Sequence, residues 1–280
     1  ERIAPSFGVE SNIHPYAGHQ PFGPLEIRTR APVLIPRPET EAWTLDLLAL
    51  VQASLDARPR PLRILDLCTG TGCIALTLAQ GLRMHKDVHV TAVDCDAAAL
   101  ELARENAKAH ALDGDDDSDD ALVSIRYADM LDDHSMALLG SFDLVVCNPP
   151  YIAADAWQDL DASVRDYESH GALVGSAPEL DGLGYYRRLC WLYEQGLISL
   201  NESTLPASPG ALGTSDLPCM VMEVGAGQAP TVRANFETAR VQQAHGGDHY
   251  VTQCDVWHDP AGRERVVVVW RRGSGGHGGG

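Results

Sequence analysis

A chain of 280 residues, 45% hydrophobic and 21% charged, has the apolar content for a sizeable core, which excludes a disordered or fibrous protein. No apolar run approaches the roughly 18 residues that span a bilayer; Val266 to Trp270, at five residues, is strand-like, and no membrane partner is expected. Twenty-one basic against 39 acidic residues give a net charge of −18, a field that repels phosphate backbones, so no direct nucleic-acid partner is expected either.

Residues 1–36 are rich in Pro and Gly and read as a lead-in, in which Leu25 to Arg28 followed by Val33 to Ile35 suggests a β-hairpin. From Thr40 to Leu55 apolar side chains recur at helical spacing, with Pro38 before the helix and Thr40 as its cap. Strands and helices then alternate: a strand at 62–67, a Gly-rich turn, a helix to Leu82, a strand at 88–93, a helix from Ala97 to Ala111, a strand at 122–127, a short helix near 131–139 and a strand at 142–147. Repeated βα units imply a parallel sheet with helices on both faces. A helix around 185–200, a strand at 219–224 and a helix at 228–244 follow, and runs at 249–257 and 265–270, joined by Asp259-Pro260-Ala261-Gly262, predict a closing antiparallel hairpin.

Two stretches interrupt this pattern, the acidic Asp113 to Asp120 and the Ser/Pro/Gly-rich Ser199 to Asp216, both read as solvated insertions. Residues 273–280 read as a flexible tail. Seven scattered cysteines without a C-x-x-C pair point to a reducing compartment. His245, His249, Cys254 and His258 lack closed ligand spacing, so no metal is expected.

The chemistry concentrates at strand ends. Asp66-Leu67-Cys68-Thr69-Gly70-Thr71-Gly72 closes the first parallel strand and opens a helix, where glycines admit a ligand and unpaired N–H groups face it. The next strand ends in Asp94, 24 residues after Gly70, where a carboxylate can accept both hydroxyls of a ribose. The turn lacks a pyrophosphate fingerprint, which favours an adenosine joined to a zwitterionic amino-acid sulfonium, with Asp129 at the third strand's end placed for the adenine amine. The strand at 142–147 runs into Asn148-Pro149-Pro150-Tyr151. Two prolines remove two N–H donors, leaving the Asn148 side chain and the Pro149 carbonyl as acceptors for a planar NH2 group, with Tyr151 as a flat wall beside it.

In this order the Thr69 to Gly72 turn, Asp94 and Asn148 to Tyr151 resemble S-adenosylmethionine-dependent methyltransferases that modify planar nitrogens. Leu34-Ile35-Pro36-Arg37-Pro38-Glu39-Thr40-Glu41 is similar to the hallmark of the HemK/PrmC release factor glutamine methyltransferases, as are Val164 to Glu168, Asp181 to Tyr186, Met222 to Gly225 with Gln228, and Asp259, Gly262 and Arg265. The resemblance implies a class I methyltransferase fold, a seven-stranded mostly parallel sheet with a C-terminal antiparallel hairpin, over residues 37–272. It implies S-adenosyl-L-methionine as cofactor, held by Asp66, Cys68, Thr69, Gly70, Thr71, Gly72, Asp94, Cys95, Asp129, Met130 and Asn148. The substrate would be the Gly-Gly-Gln glutamine of a peptide chain release factor, met by Arg37, Pro38, Thr40, Asn148, Pro149, Pro150 and Tyr151, with Asn148, Pro149 and Tyr151 catalytic.

Against the resemblance, Cys68 stands where the family usually has Gly, and Ser169 where it usually has Pro; only 36 residues precede Arg37, so the family's amino-terminal helical domain is expected to be missing. Arg165 and Glu168 read as a local ion pair. Methylation of base amines in DNA or RNA, or a non-catalytic cofactor-binding module, stays open as an alternative. The insertions resemble those of nuclear-encoded relatives and point to the mitochondrial matrix, with a bacterial cytoplasm as the alternative.

Overall fold

The computed structural model describes residues 17–55, 61–113, 122–175, 181–196, 199–200, 217–239 and 250–273. The acidic loop beyond Asp113, most of the Ser/Pro/Gly-rich stretch, His245, His249 and the tail after Gly273 lie outside them.

The hairpin pairs β1 (Ala17–Phe22) with β2 (Leu25–Arg30) through a turn at Gly23, whose φ of 55° is left-handed. This corrects the expected pairing: Val33 to Ile35 forms no strand, and the missed signal is the Gly23-Pro24 turn after a segment of low strand propensity. Nor is the hairpin a loose lead-in. Phe22, Leu25 and Ile27 are buried in the main core, and the Asn106 side chain accepts from the Arg28 amide at 2.9 Å.

After α1 (Pro38–Leu55) come β3 (Leu62–Leu67), α2 (Cys73–Leu82), β4 (Val88–Asp94), α3 (Ala97–Ala109), β5 (Val123–Tyr127), α4 (Asp133–Ala137), β6 (Ser141–Phe142) and β7 (Leu144–Cys147). A 3-10 turn at Ala154–Asp159 and the short helices α5 (Ala162–Arg165) and α6 (His170–Leu173) lead to α7 (Gly184–Gln195). The chain closes with β8 (Ser199–Leu200), β9 (Met220–Glu223), α8 (Ala229–Glu237), β10 (Tyr250–His258) and β11 (Glu264–Gly273). The helix expected over 228–244 is described only to Glu237, and the one over 185–200 ends at Gln195, where Gly196 adopts the left-handed cap.

The main sheet runs β10-β11-β9-β7-β3-β4-β5, parallel from β9 to β5, with β11 antiparallel to β9 and β10 antiparallel to β11. Strands covered on both faces must be apolar throughout, which is why β7 reads Leu-Val-Val-Cys without alternation. Ile64, Val90, Val146 and Val221 face α1, α2 and α3, whereas Leu65, Val93, Val145 and Met220 face α4, α7 and α8. The chain steps outward from β3 to β4 and β5, then returns to pair β7 on the other side of β3. That reversal opens a crevice at the strands' carboxyl ends, where open α/β sheets bind ligands. Leu67 pairs with Cys147 in register, so Cys68 and Asn148 leave the sheet side by side.

Candidate active site

The glycine turn is held from beneath by Asp66. Its buried Oδ2 accepts the Thr69 hydroxyl at 2.7 Å and the Ala75 amide at 3.2 Å, while Oδ1 has no hydrogen-bond partner. Burial raises this carboxyl to a pKa of about 7. Asp94 Oδ2 accepts the Gly70 amide and Oδ1 the Asp96 amide, each at 2.9 Å, so the second strand's acid also fastens the turn. Cys68 has a φ of 59°, a left-handed backbone that glycine adopts without a steric penalty, which gives the family's usual Gly a physical reason at this position.

A cleft beside the turn is lined by Cys68, Gly70, Asp94, Cys95, Asp129, Met130, Asn148 and Pro150 among the expected residues. Leu34, Ser169, Gly171, Ala172 and Tyr185 line it too, unforeseen as contacts although Leu34 and Tyr185 fall in stretches that carry the resemblance. A second, contiguous hollow shares Leu34, Cys68, Gly70 and Asn148 with the first and is further lined by Arg37, Thr40, Thr69 and Thr71. Five expected residues line neither. Asp66 lies under the turn, Gly72 opens α2 with a φ of 82°, and Pro38, Pro149 and Tyr151 lie outside both linings. Apolar walls with carboxylates at Asp94 and Asp129 suit a nucleoside.

Glu223, at the end of β9, organises the neighbouring loop, a role that the sequence alone does not assign. Its buried carboxylate accepts the Thr40 hydroxyl at 2.6 Å, the Trp43 indole N–H at 2.8 Å and the Tyr151 hydroxyl at 3.4 Å. Thr40 is therefore not a helix cap; it lies within the first turn of α1 and is drawn to a partner 183 residues away. Burial pushes the Glu223 carboxyl up, against the pull of Thr40, Trp43 and Arg265. Gln228 ties the loop from its far side, donating to the carbonyls of Tyr151 at 2.9 Å and Gly182 at 3.2 Å. Gly182 has a φ of 75°, and a Cβ there would lie 2.4 Å from the Tyr151 carbonyl oxygen, so the chain needs glycine at this approach.

The expected Arg165–Glu168 pair is also corrected. Arg165 turns to Asp166 at 3.5 Å and the Gln158 carbonyl, whereas Glu168, its side chain fully buried, accepts two bonds from Arg37 at 2.7 and 2.8 Å. Burial raises the Glu168 carboxyl and Arg37 opposes that rise. Arg37→Met should cost about 2 kcal/mol in urea denaturation, less than the roughly 3–5 kcal/mol of a fully buried pair because Arg37 remains partly in water. Without Arg37 the folded pKa of Glu168 climbs further above its unfolded value, and the folded state then binds more protons. The deficit relative to the parent chain should therefore be small near pH 5 and grow towards pH 8. A deficit independent of pH would contradict this assignment.

Among the described residues no group of three His, Cys, Asp or Glu side chains is arranged to hold a metal, and no helix is long and apolar enough to cross a membrane.

A doubly covered sheet with its crevice at the β3/β7 reversal, an acid at the end of β4 and Asn-Pro-Pro-Tyr at the end of β7 define a class I S-adenosylmethionine-dependent methyltransferase. The Methyltransferase small domain family matches residues 48–167. The fold is shared with the crystal structure of the hMettl16 catalytic domain in complex with the MAT2A 3'UTR hairpin 6, at a TM-score of 0.51 and 13% identity over 88% of this chain and 75% of that one. The chain is 31% identical over 263 residues to the probable MRF1 mitochondrial N(5)-glutamine methyltransferase mtq1 of Schizosaccharomyces pombe, covering 90% of this chain and 73% of that protein. It is 30% identical to the release factor glutamine methyltransferase of Bacillus anthracis, covering 90% and 74%. This chain belongs to the release factor glutamine methyltransferase family.

Proposed function

We propose that this enzyme methylates the side-chain amide nitrogen of the glutamine in the Gly-Gly-Gln motif of a peptide chain release factor. One observation carries the reading: of the four residues that line both the nucleoside cleft and the hollow beside Arg37 and Thr40, Leu34, Cys68, Gly70 and Asn148, only Asn148 brings a carboxamide to where the two meet.

An amide nitrogen is a poor nucleophile because its lone pair is delocalised into the carbonyl. Accepting its two N–H bonds on Asn148 Oδ1 and the Pro149 carbonyl orients that lone pair and stabilises positive charge as it develops on nitrogen. S-adenosylmethionine, when bound, supplies an electrophilic methyl on sulfonium. With the methyl on the clamped nitrogen, the displaced amide proton would leave to water and no protein base would be needed. Cys68, Thr69, Gly70, Thr71, Asp94, Cys95, Asp129 and Met130 are the proposed cofactor contacts, with Asp66 and Gly72 shaping the turn. Arg37, held by Glu168, lines the second hollow together with the proposed cofactor contacts Thr69 and Thr71. The proposed methyltransferase unit is residues 37–272, with the β1–β2 hairpin packed into its core.

The proposed compartment is the mitochondrial matrix, supported by the relative named as mitochondrial in S. pombe; the B. anthracis relative keeps the bacterial cytoplasm as the alternative. Methyl-labelled cofactor, incubated with an intact release factor, should place label on the Gly-Gly-Gln glutamine by mass spectrometry, and a Gln→Glu factor should take none. Label on rRNA or DNA bases, or equal labelling of the Gln→Glu factor, would overturn the substrate.

A further inference from the structure

An asparagine carboxamide has two ends of nearly the same shape, an acceptor Oδ1 and a donor Nδ2. An amide clamp works with one orientation only. With Oδ1 outward it accepts the substrate's N–H; turned over, it sets one NH2 group against another. Shape alone does not decide between them, so some neighbour must.

Asn148 Nδ2 lies 3.5 Å from Thr40 Oγ1, and the Thr40 hydroxyl donates to Glu223 Oε2 at 2.6 Å. A threonine hydroxyl has one proton. The same Oε2 also takes the Trp43 indole N–H at 2.8 Å, and an indole can only donate. With Glu223 ionised, or protonated on Oε1, Oε2 accepts both bonds and the Thr40 proton is committed to it. Thr40 Oγ1 then has only lone pairs to offer Asn148, which must turn its Nδ2 inward and its Oδ1 out. Oε1 accepts the Tyr151 hydroxyl at 3.4 Å, so the carboxylate is held at both oxygens, and the Tyr186 hydroxyl fixes the Glu223 backbone by donating to its carbonyl at 2.8 Å.

We propose that Glu223 is a positioning residue that, through the Thr40 hydroxyl, fixes which end of the Asn148 carboxamide faces the substrate. The inference rests on the reading of Asn148 as the amide clamp. It moves Thr40 from substrate contact to relay, and gives the buried carboxylate a task beyond stability.

Glu223→Met keeps an unbranched chain of similar length but frees the Thr40 proton, which can then go to Asn148 Oδ1. Turnover on the release factor should fall at least tenfold, with the cofactor Kd and the KM for the factor within about threefold of the parent. Glu223→Gln can keep an oxygen beside Thr40 and Trp43, so it should retain several times the turnover of Glu223→Met. Thr40→Val should resemble Glu223→Met, the two together should be no worse than the poorer single change, and Thr40→Ser should outperform Thr40→Val. The Asn148 side-chain NH2 pair, assigned in 15N spectra by its loss in Asn148→Ala, should shift in Glu223→Met and Thr40→Val. Should Glu223→Met fail to fold, the Thr40 pair and its spectra decide.

Turnover of Glu223→Met close to the parent, equal turnover of Thr40→Val and Thr40→Ser, or an unmoved Asn148 signal would overturn the relay. A parent chain that leaves the release factor's glutamine unlabelled would instead defeat the substrate reading, and the spectra would still test the relay.

Discussion

Asn148→Ala should reduce methyl transfer to the release factor glutamine by roughly two to three powers of ten, the scale of removing one preorganised polar contact from a developing charge. The cofactor Kd should move far less. Asn148 contributes one of many surfaces in the nucleoside cleft, whereas it is one of only two acceptors proposed for the amide. The variant also removes a donor from Thr40, whose hydroxyl keeps its bond to Glu223, so the fold loses little. Single-turnover rates at saturating cofactor, beside calorimetric cofactor binding, separate the two effects. If turnover survived within a few-fold, the Asn-Pro-Pro-Tyr loop would not be the clamp and the reaction would have to be oriented elsewhere.

That loop was legible because its neighbours in sequence are its neighbours in function. Asp94 and Asn148 each end a strand whose apolar run is unmistakable, and parallel pairing delivers both to the same edge of the sheet. Contacts between distant segments were not legible. Thr40 beside a helix start reads as a cap because that is the local use of a hydroxyl, yet its partner is 183 residues on; Glu168 reads as the partner of Arg165, three residues away, yet it accepts from Arg37, 131 residues back. In each case a buried carboxylate needs donors more than the local pair does, and burial is a tertiary property. Leu34 reads as a strand residue for the same reason: its apolar character is real, but it lines the cleft instead of pairing in a sheet. The hairpin was misread from local propensity, since β1, with Gly and Pro among its six residues, is a strand chiefly because Phe22 and its neighbours in β2 are buried on the main core.

Asp94→Ala should weaken cofactor binding by about 1.5–3 kcal/mol, the range for hydrogen bonds to a charged group, or roughly ten- to a hundredfold in Kd. Asp94 has two tasks, and the variant removes both: it would accept the ribose hydroxyls, and it already accepts the Gly70 and Asp96 amides that shape the turn. Asp94→Asn separates them. An asparagine keeps one acceptor oxygen but adds an NH2 that cannot accept from a backbone amide or from a hydroxyl. It should therefore bind the cofactor between the parent and Asp94→Ala. Burial also disfavours the charged form of Asp94, while hydrogen-bond donors favour it, so a bound diol should draw its pKa downward and binding should release protons at mildly acidic pH. In Asp94→Ala that release should vanish along with the affinity. Calorimetry in two buffers of different ionisation enthalpy measures both quantities. An unchanged Kd in Asp94→Ala would remove the ribose from this carboxylate and leave Asp94 as a fastening of the glycine turn alone.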